Sequence, residues 1–273
     1  MGARVAFQAL TIAGSDSGGG AGIQADLKTF SALGVYGASV LTAITAQNTR
    51  TITAVKMLTP EIIRAQMGAV FDDLAIGAIK IGMLGGPDAI CAVAEGLAAC
   101  AVPAPVVLDP VMVSKSGDAL LADDAVAVLR ARMLPLADLL TPNLPEAARL
   151  LDTPEATDET QMREQGRALL ALGPRAVLMK GGHASGAVCI DLLVTQDDVL
   201  QLSARRHPTR NTHGTGCTLS AAIAAGLARK MPLTAAVSMA HTYLQGAIEA
   251  ADRLDIGHGH GPVHHFHKVW PNG

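Results

Sequence analysis

Largely apolar runs alternate with amphipathic segments along almost the whole chain. The runs at 6–13 and 105–108 lack strict alternation of polar residues, which is typical of strands buried on both faces of a parallel sheet. The segments between such runs place apolar residues at helical spacing. The pattern therefore predicts an α/β protein with a mostly parallel central sheet and helices on both faces, and the run at 51–57 predicts a small peripheral β element at one edge.

The chain of 273 residues can bury a substantial core, and no linker is long enough to mark a boundary. We therefore expect one domain over residues 1–273. The predicted strands are 6–13, 35–46, 51–57, 75–81, 105–108, 138–140, 176–179, 187–194 and 199–203. The predicted helices are 23–33, 60–71, 88–101, 123–133, one opening at 143, 158–172, 219–230 and a last one ending near 252.

Composition narrows the class of partner. Aromatic residues make up only 3% of the chain, the net charge is −3 and no Lys/Arg cluster occurs, so the sequence disfavours nucleic acid and favours a small-molecule ligand. Four cysteines without a CxxC pair are typical of reduced, cytoplasmic thiols. The apolar N-terminal run leads into a Gly-rich loop without a cleavage site, and no run of about 18 apolar residues predicts a membrane span.

A late Gly-rich stretch, residues 211–218, is the clearest chemical feature. Gly214 and Gly216 flank Thr215 just before a helical run, so several backbone N–H groups and a helix dipole are expected to favour a phosphate or oxyanion. Cys217 lies beside this cradle. A thiol at a helix N-terminus can have a lowered pKa, which suits a residue that takes a proton; a Gly-rich turn with a small packing cysteine is the alternative.

An early Gly-rich loop, residues 14–22, follows the first predicted strand. Its end matches the G-x-G-x-x-A pattern of dinucleotide sites, but no acidic residue lies about twenty positions further on to hold a ribose. This absence argues against a nicotinamide-dependent oxidoreductase. We interpret the loop as one whose backbone approaches a small substrate.

Two further residues lie where strands are predicted to end. Gln47 offers one acceptor and two donors, which match an aminopyrimidine edge, although a solvated loop amide fits the local sequence equally well. Met83 follows the strand at 75–81 and is suited to pad a flat ligand, although packing is the commoner role of methionine.

Polar residues at three other strand ends suggest a metal and phosphate site. Asp109 follows a buried strand and is suited to Mg²⁺. Lys180, beside two glycines, is a plausible phosphate contact. Asn143 and Glu146 occupy the N-cap and N3 positions of a predicted helix, so a structural capping pair competes with a metal role.

Six motifs occur together and in order, and they carry a family resemblance. They are residues 14–26 (GSDSGGGAGIQAD), 45–49 (TAQNT), 80–84 (KIGML), 141–147 (TPNLPEA), 179–183 (MKGGH) and the Gly214 loop. Together they resemble the hydroxymethylpyrimidine/phosphomethylpyrimidine kinases of bacterial thiamine biosynthesis, in the ribokinase-like superfamily. The resemblance spans residues 6–270 and implies ATP-dependent phosphorylation of 4-amino-5-hydroxymethyl-2-methylpyrimidine to its monophosphate and then to its diphosphate.

The same resemblance implies the roles of the reacting groups. Gly214, Thr215 and Gly216 would form an anion hole for the transferred phosphoryl group, and Cys217 would be the base, at a position where most ribokinase-like enzymes carry aspartate. Mg²⁺ would be organised, directly or through water, by Asp109, Asn143 and Glu146. The residues implied to contact ATP phosphates are Lys180, Lys115, Thr212 and His213.

It also implies a substrate pocket. Gln47 would read the aminopyrimidine, Met83 and Val111 would pack on its ring, and Gly14 and Asp26 would line the pocket. Thr45 departs from the family pattern, in which valine occurs. Because we expect this residue to contact the substrate through its main chain, the change of side chain puts little of the implied pocket in doubt. The resemblance further suggests a cytoplasmic homodimer, with the short strand after Gln47 as a candidate contact.

Other functions remain open at this point. A pyridoxal-type kinase takes a ring of similar size, and Gln47 is the residue expected to distinguish the two. A silent pyrimidine-binding protein could lack Asp109, Lys180 or the Gly214 loop, but all three are intact.

The His-rich tail at 258–267 has irregular spacing, which favours an ordered tail over a metal site.

Overall fold

The computed structural model describes residues 6–100, 104–113, 120–183 and 186–270. The strands are β1 (Gln8–Ser15), β2 (Tyr36–Gln47), β3 (Ile52–Met57), β4 (Ala78–Ile81), β5 (Val106–Leu108), β6 (Leu139–Leu140), β7 (Val177–Lys180), β8 (Val188–Val194) and β9 (Val199–Arg205). The α-helices are α1 (Gly22–Ala32), α2 (Pro60–Asp73), α3 (Pro87–Cys100), α4 (Asp123–Arg132), α5 (Leu144–Leu151), α6 (Glu159–Leu170), α7 (Thr215–Ala228) and α8 (Leu233–Glu249). In this part of the chain no helix is both long and apolar enough to cross a membrane.

The strands form a nine-stranded sheet in the order β3-β2-β1-β4-β5-β6-β7-β8-β9. The central pairs from β2 to β7 are parallel, whereas β3 at one edge and β8 and β9 at the other are antiparallel. The predicted α/β class and mostly parallel sheet are confirmed. The predicted peripheral element is β3, which pairs with β2.

Two apolar cores lie on opposite faces of this sheet. Because successive strand residues point to opposite faces, Leu10 and Ile12 enter one core while Ala9 enters the other. Likewise, Leu108 packs on the first face and Val107 on the second. Both faces are therefore covered, which explains why the strands contain long apolar stretches.

Helix α7 begins earlier than the sequence predicts. The helix was expected from residue 219, but it begins at Thr215 because Gly214 adopts a left-handed N-cap conformation with φ of 80°. Its body is rich in small buried residues such as Ala221 and Ala224, which allow it to pack against both α1 and the sheet. This start places Cys217 inside the first helical turn.

The His-rich tail is packed against the body of the protein. Val263, His264 and His265 are buried, and the Tyr243 hydroxyl donates a hydrogen bond to the His265 carbonyl over 2.5 Å. Within the described residues, no group of three or more His, Cys, Asp or Glu side chains is arranged to hold a metal ion. The tail thus completes the packing around α8.

Candidate active site

Residues from both Gly-rich loops and several strand ends meet at the carboxyl edge of the parallel strands. A methyl group added to Gly214 would overlap the carbonyl oxygen of Gly20, so the two loops are in direct contact. A methyl group on Gly216 would lie 3.4 Å from both Asp109 Oδ2 and Lys180 Nζ. The fold therefore brings together the late Gly-rich loop (residues 211–218, the anion loop), the early Gly-rich loop (residues 14–22, the substrate loop) and the ends of β5 and β7, as parallel α/β sheets do at their ligand sites.

The start of α7 has backbone donors available for an anion. Gly214 makes no side-chain cap, and the first turn contains no acidic residue. The first N–H groups of a helix have no partner within the helix, and they lie at the positive end of its dipole. The Thr215 N–H is directed at the Thr212 carbonyl over 3.4 Å, so the anion hole at Gly214, Thr215 and Gly216 stays a prediction that rests on the other N–H groups of this turn.

Next to this loop is a buried cluster of opposite charges. Lys180 Nζ lies 2.8 Å from Asp109 Oδ1 and 3.9 Å from Glu146 Oε2. Burial alone would lower the pKa of Lys180, but the charges of Asp109 and Glu146 raise it. Burial raises the pKa of Glu146 to about 7, against the opposing effect of Lys180. Lys180 is therefore a cation held at the mouth of the anion hole.

Asn143 and Glu146 form a capping box at the start of α5. The Asn143 side chain accepts a hydrogen bond from the Glu146 N–H, and Glu146 Oε2 accepts one from the Asn143 N–H, both over 2.8 Å. Asn143 and Glu146 therefore form the structural capping pair that the sequence offered as the alternative to a metal role. The Asn143 amide oxygen and Glu146 Oε2 are both engaged in this cap, whereas Asp109 lies beside Lys180 and Gly216.

The predicted lowering of the Cys217 pKa is wrong. The thiol is only partly exposed, and burial raises its pKa to about 11, although Lys80 acts in the opposite direction. The nearby carboxylates of Asp26 and Asp109 raise it further, and a hydrogen bond from the Gly22 N–H lowers it. Loss of water around the sulfur outweighs the effect of Lys80, so the thiol is neutral at pH 7.

The predicted substrate pocket is only partly assembled from the expected groups. A methyl on Gly14 would lie 2.6 Å from Met83 Cε, so Met83 covers Gly14. Met83 and Val111 are partly exposed, and Gln47 is the last residue of β2. By contrast, Asp26 is fully buried, so its carboxylate lies beneath the pocket and does not line its open surface.

Comparisons with known proteins identify the family. The phosphomethylpyrimidine kinase family model matches residues 16–264. The chain belongs to this family. A hydroxymethylpyrimidine/phosphomethylpyrimidine kinase of Rhizobium meliloti (strain 1021) is 60% identical over 262 residues, covering 96% of this chain and 98% of the relative. The predicted family and kinase class are confirmed.

Two solved structures extend the comparison to the fold. A crystal structure of phosphomethylpyrimidine kinase from Clostridium difficile 630 has a TM-score of 0.79 at 45% identity, covering 89% of this chain and 99% of that chain. A pyridoxal kinase from Staphylococcus aureus in complex with AMP-PCP and pyridoxal has a TM-score of 0.89 at 31% identity, covering 98% and 97%. These neighbours confirm the ribokinase-like fold that was predicted for this phosphomethylpyrimidine kinase family member.

A buried ion pair beneath the site of this kinase was missed by sequence reasoning. Lys80 Nζ lies 2.8 Å from Asp26 Oδ2, and both side chains are fully buried. The Thr11 hydroxyl donates to the same carboxylate oxygen over 2.6 Å. Burial alone would lower the pKa of Lys80, but the Asp26 charge raises it. The sequence did contain a signal for this ion pair, namely a lysine within the otherwise apolar β4, because a buried charge requires a partner of opposite charge.

Three of the four residues implied to contact ATP have other contacts or lie outside the described residues. His213 contacts Asp16 and Gln47 at the substrate end, with its Nε2 atom 2.8 Å from Asp16 Oδ2. The Thr212 carbonyl accepts a hydrogen bond from the Thr215 hydroxyl over 2.7 Å, so Thr212 supports the anion loop. Lys115 lies outside the described residues. Of the four residues, Lys180 is the one whose charged group lies beside the start of α7 in the described structure.

The raised pKa of Cys217 predicts its reactivity. We expect the rate of alkylation by iodoacetamide to follow a titration near pH 11, about two pH units above that of an ordinary cysteine, because only the thiolate reacts. Peptide mass spectrometry after timed labelling would measure this rate at Cys217, and labelling of Cys91 in the same samples would provide an internal comparison. A titration below pH 8 would show that the dipole dominates after all.

Proposed function

We propose that this protein transfers the γ-phosphoryl group of ATP to 4-amino-5-hydroxymethyl-2-methylpyrimidine and then to the resulting monophosphate, as a step of thiamine diphosphate biosynthesis. The observation that carries the proposal is the contact of the Gly214–Gly216 loop with both Lys180 and Asp109, opposite a pocket that contains Gln47 and Met83. Membership of the phosphomethylpyrimidine kinase family supports the substrate class.

The chain supplies positioning and charge neutralisation, which phosphoryl transfer needs more than covalent chemistry. The substrate hydroxyl oxygen forms the new bond to the γ-phosphorus, the bond to the bridging oxygen breaks, and ADP leaves. The backbone N–H groups at the start of α7 would meet the equatorial oxygens of the transferred group. Lys180 would neutralise the polyphosphate once ATP competes for its charge with Asp109.

Mg²⁺ fits the residues that are present. Mg²⁺ is commonly held by one or two carboxylates together with substrate phosphates and water. Asp109 and Glu146 supply two carboxylates within reach of Lys180, and Asn143 would orient Glu146 through the capping box. When bound, the ion would neutralise charge on the phosphates.

Cys217 would act as the base in the first transfer only. Because the resting group is a neutral thiol, its proton would first pass to solvent, and the resulting thiolate would then accept the hydroxyl proton of the first substrate. The second substrate is a phosphate monoester that is largely ionised near neutral pH. We expect Cys217→Ala to slow the first phosphorylation about a hundredfold and the second less than about fivefold. Single-turnover assays of the two substrates would measure both rates, with Cys217→Ser as a smaller structural change. Equal slowing of both steps would assign Cys217 a structural role.

The deciding experiment is ATP- and Mg²⁺-dependent turnover of the hydroxymethylpyrimidine, with monophosphate and diphosphate quantified separately and pyridoxal assayed in parallel. Sequential appearance of both pyrimidine products supports the proposal. Pyridoxal is the second candidate substrate because the S. aureus pyridoxal kinase resembles this chain over 98% of its length. Faster turnover of pyridoxal, or monophosphate alone, would replace the bifunctional assignment.

We also propose an oligomeric state, a domain organisation and a cellular location for this protein. Exposed apolar side chains on β2 and β3 include Ile44, Val55 and Met57, and a second copy covering this edge would form the homodimer expected from the family. We further propose that residues 1–273 act as one kinase domain in the cytoplasm, where the described cysteines Cys91, Cys189 and Cys217 are free thiols.

A further inference from the structure

The amide of Gln47 has two polar neighbours at the substrate end of the site. Its Oε1 position lies 3.2 Å from the Thr45 hydroxyl oxygen, and its Nε2 position lies 3.5 Å from His213 Nε2. The oxygen and nitrogen of a glutamine amide are distinguished only by their hydrogen-bond partners. The donors and acceptors around Gln47 therefore decide which way the amide points.

The Nε2 atom of His213 cannot accept a hydrogen bond from Gln47. Asp16 Oδ2 accepts hydrogen bonds from the N–H groups of Gly20 and Ala21, and it lies 2.8 Å from His213 Nε2. Burial opposes ionisation of Asp16, but the contacts with His213 and with the N–H groups of Ala21 and Gly18 hold its pKa below the usual value. An ionised carboxylate only accepts hydrogen bonds, so His213 Nε2 carries the hydrogen.

Thr45 presents an acceptor toward Gln47. Its hydroxyl group lies 2.7 Å from the carbonyl oxygen of Ser15, which cannot donate, so the single hydroxyl hydrogen is used there. The lone pairs of the Thr45 oxygen remain for Gln47. The side chain thus has a polar role of its own, beside the main-chain contact with the substrate that the sequence leads us to expect.

These two assignments select one orientation of the amide. With its nitrogen toward Thr45, Gln47 donates to a free lone pair of the hydroxyl oxygen, and its oxygen then lies beside the protonated His213 Nε2, whose hydrogen points to Asp16. The opposite orientation places two donors together at His213 and two acceptors together at Thr45. The backbone of Gln47 is also fixed, because Ser17 Oγ donates to its carbonyl and accepts from its N–H, both over 2.8 Å.

We propose that Thr45 and His213 are positioning residues that fix the Gln47 amide orientation and thereby set the specificity for an aminopyrimidine. This inference rests on the proposed function. The free N–H and the free oxygen lone pair of the amide then face a ring edge that carries an amino group beside an unprotonated ring nitrogen. Since the hydroxymethyl group must reach the anion hole, the ring cannot turn to compensate for a reversed amide.

The test compares the 4-amino substrate with its 4-oxo analogue, in which the donor and acceptor of this edge are exchanged. We expect wild-type enzyme to prefer the amino compound, and Thr45→Val and His213→Ala each to reduce the preference in kcat/KM by about tenfold. The change should arise in KM for the pyrimidine, with KM for ATP unchanged within about twofold. Thr45→Ser retains the hydroxyl and should keep the wild-type preference.

Several outcomes would overturn the inference. An unchanged preference, with both substrates affected equally, would assign these residues to packing, and a rise in KM for ATP alone would return His213 to a phosphate contact. Thermal unfolding of each variant would identify a folding defect, and Thr45→Ser tests the hydroxyl without removing volume.

Calorimetric binding of the two pyrimidines to ATP-free protein separates this inference from the proposed function. If neither compound is phosphorylated but Thr45→Val still reduces the binding preference, the kinase assignment fails and the positioning role stands. If wild-type protein binds both compounds equally, or binds neither, the positioning role fails.

Discussion

Replacement of Gly214 by alanine is expected to lower kcat for pyrimidine phosphorylation by about a hundredfold or more, the magnitude associated with loss of an oxyanion-stabilising donor. Gly214 has a φ of 80°, which L-residues rarely adopt, and an added methyl group would overlap the Gly20 carbonyl oxygen. The anion loop would have to move away from the substrate loop. Steady-state kinetics with both pyrimidine substrates would measure the loss.

Gly34 provides the matched control for this substitution. It also has a positive φ, of 73°, but no atom lies within 4 Å of an added methyl group. Gly34→Ala should therefore cost about 1 kcal/mol of stability from backbone strain alone and leave kcat unchanged. If both variants lose activity equally, strain rather than displacement of the anion loop is responsible.

Replacement of Lys80 by methionine is expected to lower the free energy of unfolding by about 3–5 kcal/mol, because it leaves the fully buried Asp26 carboxylate without its cation. The methionine fills most of the lysine volume but cannot donate to Asp26. Urea unfolding followed by circular dichroism would measure the change.

The double variant Lys80→Met with Asp26→Leu tests the cause. Removal of both charges should restore most of the lost stability, since an uncompensated buried charge would no longer exist. Arg175→Met is the comparison at the surface, where the Arg175–Asp138 pair has an arginine side chain that is 84% exposed, and its effect should stay below about 1 kcal/mol. If the double variant is no more stable than Lys80→Met, the loss reflects packing.

The positions of the strands followed from the local sequence with good accuracy. The predicted edge strand at 51–57 and the observed β3 differ by one residue at the start, because β-branched residues such as Ile52, Thr53 and Val55 favour an extended strand even though β3 is largely exposed. The predicted strand at 75–81 was longer than β4, since only Ala78–Ile81 pairs with β1. Such boundaries depend on the pairing partner, which the local sequence does not contain.

Those parts of the candidate site whose residues are close together in the sequence could be predicted from the sequence. The Gly214–Gly216 loop and the Asn143–Glu146 capping box depend on residues at most three positions apart, so their sequence patterns specify the local geometry. His213 could not be placed in this way. Its neighbours Asp16 and Gln47 are 197 and 166 residues away, and only the meeting of β1, β2 and α7 brings them together.

The sequence by itself determined the family, the α/β class and the order of the motifs, because each of these is carried by residue type and short spacing. The tertiary structure decided the charge state of Cys217, the pairing of Lys80 with Asp26 and the neighbours of Gln47. Desolvation and charge pairing act through space between distant segments. These properties exist only once the sheet has assembled and has excluded water from its carboxyl edge.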